Sequence, residues 1–242
     1  MPDSLALDTL ILDPRFNGPP GTANGGYASG SIGERVDGPA EVTLRLPPPL
    51  GEPLELAYLP GGEVEARRDA AVVMSARPVD GVDVEPPVLP TLGQAREAER
   101  GHPGHGRDGL LSTCYVCGSR RHDGLGIHFG PLAGHSDVTA AVFIPDATVP
   151  NREGDVAPEL VWAALDCPSY TPALWDWDRP SLLAQLTVER LECVCVGEPI
   201  IATGWHLGSE GRKHHTASAL LSTDGRVLAR ARALWITLRS PR

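Results

Sequence analysis

Asp166 has the sequence context of a catalytic base. It lies near the end of a predicted helix, 157–167, whose other residues are mainly apolar, and Pro168 must end that helix because proline lacks the N–H donor. A carboxylate at such a break can face a cavity, and burial raises its pKa toward the range that a general base needs. Glu159 and Trp162 share its helical stripe, so we expect them beside the same site. The alternative is a carboxylate that only caps nearby N–H groups.

A glycine-rich segment in the first half offers hydrogen-bond donors. Residues 21–27 lead into a predicted helix, 24–36, and Asn24 is a suitable cap for it. Backbone donors at a helix start can stabilise an oxyanion, and glycine lets a ligand approach the chain closely. The N–H groups concerned are those of Gly25, Gly26 and Tyr27. The segment matches neither the P-loop nor the dinucleotide fingerprint, and its alternative role is a flexible loop before a close helix–helix crossing.

A cysteine pair raises the question of a metal. Cys114 and Cys117 have the spacing of a zinc or dithiol pair, and three histidines lie near enough in sequence to complete a four-ligand site. These histidines are His102, His105 and His122. A single pair of this kind is a weak signal, and no thioredoxin-like pattern surrounds it. We therefore predict no metal.

Composition limits the partners of the chain. Its net charge of −10 argues against a general nucleic-acid binder. Only Lys213 among the 21 basic residues is a lysine, so phosphate contacts would fall to arginines. No run approaches the ~20 apolar residues of a membrane helix, and residues 1–12 lack the pattern of a secretory signal. Five cysteines without a regular framework fit a reducing compartment, so we expect a cytoplasmic protein with no nucleic-acid or membrane partner.

Two halves of the sequence repeat one pattern. Gly51-Glu52-Pro53 and Gly197-Glu198-Pro199 each precede an apolar, strand-like run. The strands are predicted at 5–12, 40–46, 53–59, 62–68 and 70–77 in the first half, and at 126–129, 137–144, 182–196, 200–207, 213–222 and 226–238 in the second. Each half is thus an α+β unit with one helix against an antiparallel sheet. The predicted units are 1–78 and 114–242, and a linker, 79–113, joins them.

Three sets of motifs resemble a known family. They are Phe16-Asn17-Gly18-Pro19-Pro20-Gly21 with Asn24-Gly25-Gly26-Tyr27, Cys114-Tyr115-Val116-Cys117-Gly118 with Gly124-Leu125, and Pro158-Glu159-Leu160-Val161-Trp162-Ala163-Ala164-Leu165-Asp166-Cys167-Pro168. Together they look like a tandem (double) hotdog protein of the thioesterase superfamily, similar to acyl-CoA thioesterases. The likeness implies two antiparallel sheets, each wrapping a central helix, joined as a pseudo-dimer. Cysteine pairs like this one recur in hotdog relatives as the turn that opens the second unit.

The resemblance also implies a reaction. In hotdog thioesterases the thioester carbonyl points at N–H groups where the central helix begins, and a carboxylate from the opposite unit activates water or attacks directly. By motif, Asp166 matches the acid of the Leu-Asp segment in acyl-CoA thioesterase II-like enzymes. Gly25 and Gly26 match the glycine pair of phenylacetate-pathway thioesterases, with Asn24 where those often have histidine. The expected activity is hydrolysis of an acyl-CoA thioester, with no cofactor beyond the coenzyme A of the substrate.

The remaining site residues follow from the same resemblance. The expected substrate-binding residues are Tyr27, Trp162, Glu159, Arg120, Arg121 and Arg212, the arginines meeting the coenzyme phosphates. Glu34, paired with the loop before Pro158, would form a second, degenerate site. Hotdog units usually pair through their sheets, so a homodimer of the chain is expected.

The sequence departs from the family where the aspartate should be supported. Acyl-CoA thioesterase II-like enzymes hold it with a threonine and a glutamine on neighbouring strands, and alignment places Glu189 and Ala233 there. Gln185 or Thr187 are the candidates to substitute. This departure keeps an alternative open, a non-catalytic hotdog protein that binds acyl-CoA or another small ligand. A hotdog hydratase ranks lower because its usual Asp and His pairing at the start of the helix is not visible.

Overall fold

The computed structural model describes residues 8–106, 108–109, 111–176 and 178–239. Its helices are α1 (Gly25–Gly33), α2 (Leu92–Ala98) and α3 (Pro158–Asp166). The strands before α2 are β1 (Thr9–Ile11), β2 (Ala40–Leu44), β3 (Pro53–Tyr58), β4 (Val64–Arg68) and β5 (Ala71–Pro78). The strands after it are β6 (Gly130–Pro131), β7 (Val138–Phe143), β8 (Asn151–Arg152), β9 (Asp155–Val156), β10 (Ser181–Arg190), β11 (Ile200–Glu210), β12 (Lys213–Leu221) and β13 (Val227–Thr237).

One antiparallel sheet of eleven strands runs through both halves, in the order β1-β3-β4-β5-β2-β10-β13-β12-β11-β7-β6. The structure corrects the prediction of two separate sheets, because β2 pairs with β10 and places Ala40 opposite Val188 and Val42 opposite Leu186. This pairing satisfies backbone groups that two free sheet edges would expose. Outward from it, β2-β5-β4-β3-β1 on one side corresponds to β10-β13-β12-β11-β7 on the other. The strand order therefore repeats, as the two sequence halves do.

The predicted elements are found with small changes at their ends. Gly51 and Gly197, in the repeated turns before β3 and β11, both have positive φ angles, 71° and 85°. The predicted strand 182–196 ends earlier, at Arg190, and the predicted strand 126–129 is irregular, with β6 following it. Of the predicted first strand, residues 5–7 lie outside the described part of the chain.

The central helices α1 and α3 pack directly on each other between the two halves. A Cβ on Gly30 would lie 2.7 Å from the Cα of Glu159, and a Cβ on Gly26 would lie 2.7 Å from the carbonyl oxygen of Trp162. The glycines therefore let the two backbones approach, as the close-crossing interpretation of this helix predicted. The apolar residues Ala28, Ile32, Leu160 and Leu165 of the two helices are fully buried. We call the α1–α3 crossing and the β2–β10 pairing together the seam.

The linker 79–113 covers the other face of the sheet. Ala95 and Ala98 of α2 are buried in a cluster with Ile201 of β11 and Leu221 of β12. The next residues on these strands, Ala202 and Leu220, point to the opposite face and lie in the main core. A capping box on Thr91 and Gln94 starts α2. Within the described ranges, the helices are all too short or too polar to cross a membrane.

Candidate functional site

The structure brings the carboxylate of α3 to the start of α1. Asp166 is the last residue of α3 and is 2% exposed. Its Oδ2 accepts hydrogen bonds from the backbone N–H of Gly26, at 2.8 Å, and from Nδ2 of Asn24, at 2.9 Å. Three residues predicted separately from the two halves of the sequence are thus in direct contact across the seam.

Asn24 arranges the donors around this carboxylate. It is the N-cap of α1, and its Oδ1 accepts the N–H of Tyr27 at 2.9 Å while its Nδ2 holds Asp166. The amides of Gly26 and Tyr27 are therefore already occupied. In the described part of the chain, the N–H of Gly25 has no bonded acceptor, and Gly25 lines a cavity. Of the three N–H groups expected to hold an oxyanion, that of Gly25 is the one left for a ligand.

Burial and hydrogen bonding act in opposite directions on Asp166. The pKa of Asp166 is raised to about 7, mainly by burial; the hydrogen bond from Gly26 opposes the rise, Cys114 adds to it, and the hydrogen bond from Asn24 opposes it. The second carboxylate oxygen, Oδ1, is buried and has no hydrogen-bond partner among the described residues. One oxygen is thus held by the protein, and the other has unused hydrogen-bonding capacity next to the seam.

An apolar cavity of about 670 Å³ reaches Asp166, Asn24 and Gly25. Its walls come from both halves of the chain and from the linker between them. Apolar side chains that line it are Leu44, Leu111, Tyr170, Leu183, Trp235 and Leu238. Sequence analysis missed these residues because each is an ordinary apolar position on its own strand or loop, and only the fold brings them together. The mainly apolar lining suits an apolar group whose polar end lies at the seam.

Three residues expected to bind substrate lie elsewhere. Tyr27 is buried with its ring 4.3 Å from that of Phe16, centroid to centroid. Trp162 is buried against α1, and Glu159 lies where the backbones of α1 and α3 cross. None of the three lines the cavity. Glu159, Trp162 and Asp166 do share one face of the helix, as predicted, but that face packs on α1. In the cavity wall, Trp235 of β13 lies where we expected Trp162. Another tryptophan of that half, Trp177, lies outside the described residues.

The expected phosphate-binding arginines differ in how they are engaged. Arg121 is held within the protein, where its guanidinium lies 5.2 Å from the ring centroid of Tyr115 and donates to Asn17. Arg212 is exposed and donates to the carbonyl of Thr237 at 2.9 Å.

Two other arginines lie at the cavity. Arg120 forms an ion pair with Asp108, a cavity-lining residue. Arg45, which sequence analysis did not select, itself lines the cavity, and its guanidinium donates to Oγ of Ser75 at 3.3 Å. A lone arginine just after a strand carries no sequence signal that would have distinguished it.

The supports expected for the aspartate lie away from it. Glu189 bonds Arg230, at 3.0 Å, and the N–H of Val82. Gln185 donates to Thr43 across the β2–β10 pairing, at 3.1 Å. Ala233, on β13, is buried, and Thr187, on β10, faces Glu41 of β2 in the same pairing. Asn24 and Gly26 therefore replace the threonine and glutamine of the family pattern as the partners of Asp166.

Glu34, the acid of the expected second site, is already paired. It caps the C-terminal end of α1, accepts the indole N–H of Trp162 at 2.8 Å, and holds Arg190 through both carboxylate oxygens. It borders a smaller, separate cavity of about 280 Å³. Its arrangement is that of an ion pair linking the two halves rather than of a free base.

Replacing Glu34 by glutamine should therefore lower stability and leave activity intact. The substitution removes a half-exposed ion pair with Arg190 but keeps an acceptor for Trp162, so we expect the free energy of unfolding to fall by about 1 kcal/mol. Urea unfolding measures this loss, and acyl-CoA turnover should stay within about twofold of the parent. A fall in turnover as large as that of an Asp166 variant would instead make Glu34 part of a working site.

The cysteines and histidines form two separate groups. Cys114 and Cys117 lie beside Cys167, which directly follows Asp166. His102 and His105 pack on His128, with ring centroids 5.1 to 5.4 Å apart, and His122 is exposed. Burial lowers the pKa of His102 to about 4, and its Nδ1 bonds the carbonyl of Phe129. The structure does not combine the histidines with the cysteines as the four-ligand hypothesis required.

Comparison with solved structures identifies the fold. A hotdog-fold protein of unknown function from Alicyclobacillus acidocaldarius matches with a TM-score of 0.61 and 14% identity, over 97% of this chain and 93% of that one. A tesB protein from Mycobacterium avium subspecies paratuberculosis matches with a TM-score of 0.61 and 14% identity, over 96% and 92%. An acyl-CoA thioesterase II, TesB2, from Mycobacterium marinum matches with a TM-score of 0.58 and 14% identity, over 90% and 89%. Neither a protein-family model nor a curated protein matches the sequence. The chain therefore has the hotdog fold over nearly its whole length.

Proposed function

We propose that this chain is a tandem of two hotdog units that hydrolyses an acyl-CoA thioester at the seam. The observation that carries the proposal is the contact of Asp166 with Asn24 and Gly26 at a large apolar cavity. The repeated strand order supports the tandem arrangement. The likeness to the Mycobacterium marinum acyl-CoA thioesterase II supports the substrate class.

The mechanism uses the two groups of the site that have no hydrogen-bond partner among the described residues, the N–H of Gly25 and Oδ1 of Asp166. The thioester carbonyl accepts the N–H of Gly25, which stabilises the oxyanion as it forms. Oδ1 of Asp166 accepts a proton from a water molecule, whose oxygen attacks the carbonyl carbon. The tetrahedral intermediate collapses with cleavage of the C–S bond, and the sulfur of coenzyme A takes the proton from Asp166. Asn24 and Gly26 hold Oδ2 throughout and keep the carboxylate aimed at the attacking water.

The lining of the cavity supports an apolar acyl group. An aliphatic or aromatic acyl chain fits a wall of leucine and aromatic side chains, since burying apolar surface contributes about 25 cal/mol per Å². The coenzyme would leave the cavity past Arg45 and Arg120, whose guanidinium groups suit its phosphates.

Arg45→Ala tests whether the coenzyme phosphates contact this arginine. We expect KM for acyl-CoA to rise about tenfold with little change in kcat, because a phosphate contact binds the ground state and the transition state equally. Steady-state kinetics measures both parameters. Arg68→Ala is the matched control, since Arg68 is exposed, paired with Glu52 and absent from the cavity wall. If both variants shift KM equally, the effect is one of general charge and Arg45 has no specific role.

The proposal is tested by turnover over short, long and aromatic acyl-CoAs with purified protein. For the best substrate we expect kcat/KM of about 10⁴ M⁻¹s⁻¹ or more. The alternative, a binding protein without catalysis, is favoured by one observation, the absence of the family's threonine and glutamine around Asp166. Saturable acyl-CoA binding without release of free coenzyme A in the whole panel would decide for that alternative.

A further inference from the structure

Three buried thiols lie together beside the seam. Cys114 and Cys117 belong to one turn, and Cys167 follows α3 in a short 3-10 helix. Each is at most 5% exposed and none is in a disulfide. Their sulfur atoms all lie within 4.8 Å of one another. The sequence showed only the Cys114 and Cys117 pair, and the fold adds the third thiol.

The sulfur spacing suits coordination of a metal. In a tetrahedral zinc site with Zn–S bonds of about 2.3 Å, neighbouring sulfurs are about 3.8 Å apart. The sulfurs of Cys114 and Cys167 are 3.8 Å apart. A disulfide would need about 2.05 Å between two of the sulfurs and would leave the third thiol unused.

One donor closes the turn that carries Cys114 and Cys117, and another lies close to the sulfurs of Cys114 and Cys167. The N–H of Gly118 closes the turn on the carbonyl of Cys114 at 2.8 Å. A Cβ at position 118 would lie 2.5 Å from that carbonyl oxygen, so the turn requires glycine. Nδ2 of Asn24 is 3.8 Å from the sulfur of Cys114 and 3.9 Å from that of Cys167. Donors in such positions stabilise thiolates and orient them as ligands.

A fourth ligand position is open toward the cavity. Cys114, Cys167 and Asp166 all line the cavity, whereas Cys117 lies behind them. Oδ1 of Asp166 is buried and without a hydrogen-bond partner among the described residues, which is an independent sign that a ligand is missing nearby. A water molecule at this position can complete a four-coordinate site.

We propose that Cys114, Cys117 and Cys167 bind one Zn²⁺ ion as thiolates, with the fourth position facing the cavity. Each thiol releases its proton to solvent on binding, and soft thiolate ligands favour zinc over magnesium or calcium. The ion joins the turn that opens the second half to the end of α3, next to Asp166. This departs from our expectation of no metal, and it stands whether or not the chain hydrolyses thioesters.

The histidine group is the competing site for the same ion. His102, His105 and His128 lie together, but within the residues that the structure describes only the three cysteines bring their ligand atoms within 4.8 Å of one another. Nδ1 of His102 is also occupied by its hydrogen bond with the carbonyl of Phe129. Zinc content of a His128 variant therefore distinguishes binding at the histidine group from binding at the three cysteines.

Elemental analysis of the untagged full chain tests the proposal, after incubation with ZnCl₂ and gel filtration. We expect about one zinc per chain in the parent, as for a structural site that binds tightly. Cys117→Ser and Cys167→Ser should lose at least about nine-tenths of it, because each removes one of three ligands. The controls Cys193→Ser, at an exposed thiol outside the cluster, and His128→Gln should keep it.

The parent protein alone gives a second readout, in case the cysteine variants fail to fold. Replacing zinc with Co²⁺ should produce the visible absorption of tetrahedral thiolate coordination, and chelation should lower the melting temperature. The proposal is overturned if the parent holds no zinc, if His128→Gln loses the ion while Cys117→Ser keeps it, or if mass spectrometry finds a Cys114–Cys167 disulfide in freshly purified protein. These readouts need no turnover, so failure of the hydrolase proposal leaves them unaffected.

Discussion

Asp166→Asn is expected to lower kcat for acyl-CoA hydrolysis by about 10²–10⁴-fold, the usual contribution of a general base. Asparagine has the same shape, and its side-chain oxygen can still accept the hydrogen bonds of Gly26 and Asn24. Its NH₂ group then occupies the position of Oδ1 and cannot take a proton from water. The fall should appear in kcat and kcat/KM together, since the lost interaction exists only in the transition state.

The control for this variant is Asp80→Asn, which removes the same charge at an exposed position of the linker. Both variants should bind acyl-CoA with the affinity of the parent, measured by calorimetry. Zinc content is measured on the same preparations, so that loss of an ion is not mistaken for loss of a base. Equal kcat for Asp166→Asn and the parent would remove the carboxylate from the mechanism and leave the cavity as a binding site.

The helix contact of the seam could be predicted from the sequence because its signals are local, whereas the β2–β10 pairing was not predicted. Proline after Asp166 ends one helix, Asn24 starts another, and glycines at helical spacing require a close neighbour. Each of these is a rule about backbone geometry, so it holds without knowledge of the partner. The crossing of α1 and α3 then follows once the two halves are recognised as one repeated unit.

The cavity and the cysteine cluster could not be predicted, because they depend on contacts between distant segments. Leu183 and Trp235 are apolar positions on neighbouring strands, and only the curvature and pairing of β10 and β13 decide that they face a cavity. Cys167 was only the last residue of the predicted helix 157–167, and the fold alone brings it to Cys114. Trp162 was misplaced for the same reason, since helical periodicity identifies a shared face but not what that face meets.

Gly30→Ala is expected to reduce the free energy of unfolding by about 3 kcal/mol, at the upper end for overpacking of a buried contact. The added Cβ would lie 2.7 Å from the Cα of Glu159 and 2.8 Å from the Cβ of Trp162. The first of these atoms belongs to the backbone of α3, so it cannot move aside as a flexible side chain would. The helices must separate, and the core on both sides of the seam loosens with them.

Gly93→Ala, the same chemical change at a different helix, is expected to stabilise the protein. Gly93 lies in α2, is exposed, and has no atom within 4 Å of the position of a Cβ. Alanine there should stabilise the chain by about 0.5–1 kcal/mol, because it restricts the unfolded chain and favours the helix. Urea unfolding of the two variants and the parent measures both effects. If Gly30→Ala also stabilises the protein, the glycines of α1 serve no close crossing, and the helix contact that places Asp166 against Gly26 is incorrect.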